Sequence, residues 1–125
     1  MRLWRLPAAF FVLCSLASAE AFGLSDLHDV RVTKSATDDA SAFCNDFRLN
    51  AREAKRALRS SHEVTAEAYT HDFEFLPCFV VGTGRIGTEP IDWVLRAGGN
   101  GTITKKDRSV VFIGCNSCKR WFGAH

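Results

Sequence analysis

Four short apolar runs follow Pro77: residues 78–83 ("CFVVGT"), 90–97 ("PIDWVLRA"), 101–105 ("GTITK") and 109–115 ("SVVFIGC"). They are rich in the β-branched and aromatic residues that suit a pleated, half-buried surface. Turn-forming stretches, "GTGRIGTE", "GGNG" and "KKDR", separate them. Links this short force neighbouring strands to run antiparallel, because a parallel crossover needs about a dozen residues or more. The second run also reads as a helix, with Thr88 as cap and Gly98 as terminator. The strand reading is favoured because Ile91, Trp93 and Leu95 alternate with Asp92, Val94 and Arg96, which places Asp92 and Arg96 together on a wet face.

Upstream the signals are helical. In "LNAREAKRALRSS" Asn50 and Glu53 have the spacing of a capping box, and Ala51, Ala54, Ala57 and Leu58 recur at helical intervals. Thr37 or Asp38 as a cap, with Phe43 and Phe47 four apart, predicts a second helix before it. Residues 20–37 show only a weak alternation of Val30 and Val32 with Arg31 and Thr33, which predicts an extended N-terminal arm. The expected fold class is therefore α+β: one or two N-terminal helices packed on a four-stranded antiparallel meander and stabilised by disulfides, with residues 38–125 forming one domain.

Residues 1–19, "MRLWRLPAAFFVLCSLASA", carry two arginines, then an apolar stretch, then a small-x-small ending. This is the pattern of a secretory signal peptide, and the apolar stretch is well short of the ~20 residues of a spanning helix. A periplasmic or secreted product with no stable membrane insertion is expected. Cleavage removes two of 16 basic residues and none of 14 acidic ones, leaving zero formal charge on the remaining 106 residues. A neutral chain lacks the cationic surplus on which nucleic-acid affinity depends, so no nucleic-acid partner is expected. Cys44, Cys78, Cys115 and Cys118 remain, an even number that reads as two disulfides in an exported chain, with three pairings open.

Two motifs invite other chemistry. "GTGRIG" has dinucleotide-turn spacing, but Pro90 and "GGNG" follow, and only 38 residues lie beyond Gly87; a parallel doubly wound sheet does not fit, and the glycines are expected to form a hairpin turn. "GCNSC" is a C-x-x-C with seven residues after it, too few for a thioredoxin fold. A redox role for Cys115 and Cys118 stands as an alternative. Zinc would need ligands beside Cys44 or Cys78 that are missing, and no H-E-x-x-H spacing occurs among His62, Glu63, Glu67, His71 and Asp72. No metal or cofactor is expected. His71 and Asp72, with Glu74, are the candidates for acid–base chemistry if the chain is an envelope-acting enzyme. "NGT" at residues 100–102 is formally a glycosylation sequon, although a turn explains Asn-Gly equally well.

Through "FCNDF", "HDFEFLPC", "WVLRAGGNGTI" and "GCNSC", residues 43–118 resemble a loose group of small exported cysteine-containing proteins of Gram-negative bacteria. Some comparable periplasmic proteins are immunity proteins that block envelope-targeting toxins. The resemblance implies a disulfide-bonded exported protein; with the small size and the lack of a coherent catalytic constellation, the expected function is binding another protein, as an inhibitor or immunity protein. Arg48, Arg52, Lys55, Arg56 and Arg59 form a basic stripe that a solvated helix face explains. If a partner binds, Arg52, Arg56 and Arg59 of that stripe and the aromatics Trp121 and Phe122 are the candidate contact residues.

Overall fold

The computed structural model describes residues 23–40, 44, 46–118 and 122. The expected signal peptide, Trp121, and residues 41–43 of the expected Phe43/Phe47 helix lie outside the described residues. Among the described residues a 3-10 turn at Leu24–Asp26 leads into six strands and two short helices. The strands are β1 (Leu27–Thr37), β2 (His62–Glu63), β3 (Cys78–Ile86), β4 (Glu89–Arg96), β5 (Asn100–Lys105) and β6 (Val110–Gly114). The helices are α1 (Ala51–Arg59) and α2 (Ala66–His71). All six strands join one antiparallel sheet in the order β1-β3-β4-β5-β6-β2.

This corrects the expected four-stranded meander with N-terminal helices. The four runs after Pro77 become β3 to β6, but the chain before them adds β1 along one edge and β2 along the other. The expected arm is thus the longest strand. Its alternation is weak because an edge strand meets solvent at most positions, and because register shifts interrupt its pairing with β3 between His28 and Arg31 and between Val32 and Lys34. Asp29, at φ 56°, sits in one of these irregularities. Such bulges, with Arg31 and Lys34 along the strand, discourage edge-to-edge pairing with another chain. The helical content is also smaller than expected: residues 46–50 are not helical, and Phe47 is buried without a helix to hold it.

Helix α1 follows its sequence signals. Asn50 Oδ1 accepts from the Glu53 amide at 2.8 Å, and Glu53 Oε1 accepts from the Asn50 amide at 3.1 Å, a reciprocal cap worth about 1 kcal/mol. Ala54, Ala57 and Leu58 are completely buried, and the two alanines let the helix backbone lie close to the sheet. With Phe47, Leu49 and Phe122, α1 covers the inner face formed by Leu27, Val80, Ile91, Trp93, Leu95, Ile103 and Ile113.

Trp93 is the largest fully buried side chain. It explains the first glycine of "GTGRIG": Gly82 pairs with Trp93 across β3 and β4, and a Cβ at Gly82 would run into both the indole ring and the Arg31 carbonyl. Gly82 is therefore inside a strand, where the missing side chain makes room for a neighbour. Only Gly87, at φ 60°, serves a turn, closing the two-residue hairpin between Ile86 and Glu89. In the β5–β6 hairpin Arg108 takes φ 74°. Asp107 there accepts from the Ser109 hydroxyl at 2.6 Å and its amide at 2.9 Å; these bonds hold its carboxyl below the ordinary value.

Two disulfides form, Cys44–Cys78 and Cys115–Cys118. The first joins the segment before α1 to the start of β3; the second is completely buried in the core cluster. Among the described residues, no helix is long and apolar enough to cross a membrane.

Candidate functional site

Strand side chains alternate between faces, so the register fixes what the outer face presents. Pairing aligns its residues in rows across the strands. One row is Ala36, Phe79 and Arg96; the next is Lys34, Val81, Val94, Thr102 and Phe112. Then come Arg31, Thr83, Asp92, Thr104 and Val110, and beyond them His28, Arg85 and Pro90. Successive rows are about 7 Å apart. Each row holds one cation, Arg96, Lys34, Arg31 or Arg85; around them the face passes from aromatic to aliphatic to polar, and its far end gathers Arg31, Arg85 and Lys106.

Arg96 organises the aromatic end. Its guanidinium donates to Asp38 Oδ2 at 2.7 Å, the Leu76 carbonyl at 3.1 Å and the Tyr69 hydroxyl at 3.3 Å. It also lies 4.3 Å from the Phe75 ring centroid and 5.1 Å from that of Phe79. One side chain, only 12% exposed, thus fastens the segment after α2 to β4 and to the end of β1. Charge-assisted bonds of this kind are the stronger ones. Tyr69 packs on Phe112 at 4.8 Å, and Phe73 lies against Gly114, so α2 and the chain after it cover the β6 side of this face.

The rest is uncovered. Among the described residues, the large apolar side chains that remain exposed are Phe75 (55%), Leu76 (37%) and Val110 (49%); Phe75 lies over Arg96, the Leu76 backbone is held by the same arginine, and Val110 is in the Thr104 row. At the opposite end of the face from Arg96 lies a hollow of about 490 Å3 whose lining includes Arg31, Thr83, Arg85, Asp92, Thr104 and Lys106. Arg85 is 3.8 Å from Asp29, an exposed and loose ion pair.

Comparison of the chain with protein-family models, curated proteins and solved structures finds no match. The functional reading therefore rests on this geometry and on the sequence.

The expected site residues are scattered. His71 ends α2, Asp72 is its C-cap and Glu74 follows; all three are exposed and none lines either hollow. Among the described residues, no three His, Cys, Asp or Glu side chains gather to hold a metal. Arg52, Arg56 and Arg59 are exposed on α1, where Arg59 donates to the Ser25 carbonyl at 2.9 Å. Phe122 is buried edge-on against Phe47 with centroids 5.1 Å apart, so it belongs to the core rather than to a contact surface. It shares with Arg56 a smaller hollow of about 300 Å3 beside the start of α1.

Asn100 departs from expectation as well. It opens β5, and the positive φ of that turn (93°) belongs to Gly99. Its side chain is completely buried, with Nδ2 donating to the Tyr69 carbonyl at 3.2 Å and Oδ1 without a partner. An enclosed amide is no glycan acceptor in the folded chain. The outer-face residues were only partly foreshadowed, by the alternation that sets Asp92 and Arg96 on the wet side of β4.

Proposed function

We propose that this is an exported protein-binding protein that holds its partner on the outer face of the sheet, as an inhibitor or an immunity protein against an envelope-targeting toxin does. The observation that carries this reading is the exposure of large apolar side chains at the outer face of the sheet, Phe75 over Arg96 at one end and Val110 beside Thr104 farther along. Aromatic and aliphatic anchors beside arginine are the composition of interface centres. The bonds around Arg96 hold Phe75 in place before any partner arrives, which lowers the ordering cost of binding. The leader pattern of residues 1–19 and the two disulfides support a periplasmic or secreted location.

The rival readings have less support. His71 and Asp72 are exposed and line neither described hollow, and the sulfurs of Cys115 and Cys118 are enclosed where an attacking thiolate lacks access. The test is capture by cross-linking in the source cells, using the wild type and a Phe75→Ser/Val110→Asp double variant of verified fold. The wild type should retain one stoichiometric partner and the variant should lose it. Finding no such partner, or equal retention by the variant, refutes the reading.

A further inference from the structure

The hollow at the cationic end has a composition that neither the core nor the apolar anchors require. Its floor is the row Arg31, Thr83, Asp92 and Thr104, consecutive partners across four strands. The side chains of Arg31, Thr83, Asp92, Thr104 and Lys106 make no hydrogen bond or ion pair with another described residue. Arg96, farther along the same face, shows the contrast: each of its three guanidinium nitrogens donates to a protein acceptor.

The charges are also arranged rather than simply basic. Arg31 and Arg85 form one bank on β1 and β3, where Asp29, 3.8 Å from Arg85, also lines the hollow and offsets part of that charge, and Lys106 stands opposite on the β5–β6 turn. Asp92 lies between the banks on β4, flanked by the hydroxyls of Thr83 and Thr104. Strands are spaced about 4.8 Å apart, so β3 and β5 are about 10 Å apart. A concave site focuses its field more than a convex one does, and this separates the hollow from the basic stripe of α1. Cationic banks call for an oxyanion, and arginine suits phosphate and carboxylate alike. A bare polyanion, however, would set its charge against Asp92. A ligand with hydroxyls beside its acidic group satisfies both, since a carboxylate accepts from hydroxyls.

We propose that the hollow binds a small acidic sugar, one carrying a phosphate or a carboxylate. The acidic group lies toward Arg31, Arg85 and Lys106, and the hydroxyls meet Asp92, Thr83 and Thr104. The volume of about 490 Å3 is in the range of small-molecule sites, roughly 300–1,000 Å3. The site lies away from Phe75 and Leu76 and adjoins only Val110, the partner of Thr104 on β6; small-molecule binding there stands or falls independently of the partner reading.

Amide chemical shifts followed during titration with glucose 6-phosphate, glucuronate, inorganic phosphate and glucose provide the test. One or both acidic sugars should produce saturable shifts centred on Thr83, Asp92 and Thr104, and which of them binds identifies the phosphate or carboxylate form. Binding should be roughly tenfold tighter than for inorganic phosphate or glucose. Arg31→Gln should weaken sugar binding about as much. Asp92→Ala should weaken the acidic sugar while strengthening inorganic phosphate, because it removes both hydroxyl-accepting oxygens and a like charge together, and Asp92→Asn, which keeps one acceptor oxygen, should fall between Asp92→Ala and the wild type. Arg52→Gln on α1 should change neither. These positions are exposed, and unchanged shifts away from the hollow verify the fold of each variant. Absence of localised saturable shifts, equal binding of inorganic phosphate, shifts centred on α1, or an Asp92→Ala variant that binds the sugar undiminished would each overturn the proposal.

Discussion

On the inner face of the sheet Trp93 rests on Gly82, with Leu95, Ile103 and Ile113 beside it under α1. One residue along the same strands, the outer face shows Asp92, Thr83, Thr102 and Val110, partly or fully exposed. The faces share a backbone and a register, so what separates them is the side-chain alternation and the presence of a cover. The inner face is where area leaves water, at about 25 cal/mol per Å2 of apolar surface; the outer face keeps groups that burial would penalise. Stability and recognition can then be altered separately, and substitutions can break or sharpen that division.

The largest effect belongs to the inner face. Trp93→Ala removes the ring seated on Gly82 and its bond to the Thr83 carbonyl at 2.9 Å; urea denaturation should record a loss of about 3–5 kcal/mol. Next come the disulfides. Cys44–Cys78 spans 34 residues and Cys115–Cys118 only three, so loop closure assigns about 4 kcal/mol to the first and about 2 to the second. Access orders their reduction the same way: Cys44 and Cys78 are partly exposed, whereas Cys115 and Cys118 are completely buried. Mass spectrometry after timed exposure to mild thiol should find Cys44–Cys78 opened first. The smallest effect is in the β5–β6 turn. The Asp107 carboxyl, held below its ordinary value by Ser109, supports the turn above about pH 3.9, the unperturbed value. That support is lost as pH falls through the lower folded value. Asp107→Asn should abolish this acid-dependent change in the Ser109 amide shift without disturbing the inner face.

Particular residues show how far the chain reveals this division in advance. The alternation of Ile91, Trp93 and Leu95 with Asp92 and Arg96 is visible because β4 is a central strand with one buried face. β1 hides its pairing: solvent meets most of its positions, and its bulges break the period. β2 is two residues long, too short to carry a pattern. Gly82 looks like part of a turn because composition cannot distinguish a glycine needed for its own backbone from one that clears space for a tryptophan on the next strand. Phe122 looks available for contact until Phe47 is seen to fold over it. Arg96 is legible as a wet-face residue, but its partners Asp38, Tyr69, Phe75 and Leu76 come from distant segments that only the tertiary fold assembles.

The central claim, that the uncovered sheet face is the recognising surface, is tested most directly by site-specific photo-crosslinking in the source cells. A photoreactive residue replaces either Val110, on the outer face, or Arg52, on the convex side of α1. Discrete high-mass adducts from position 110 and none from position 52 are predicted. Adducts from position 52 alone, or equal labelling from both, would contradict the account.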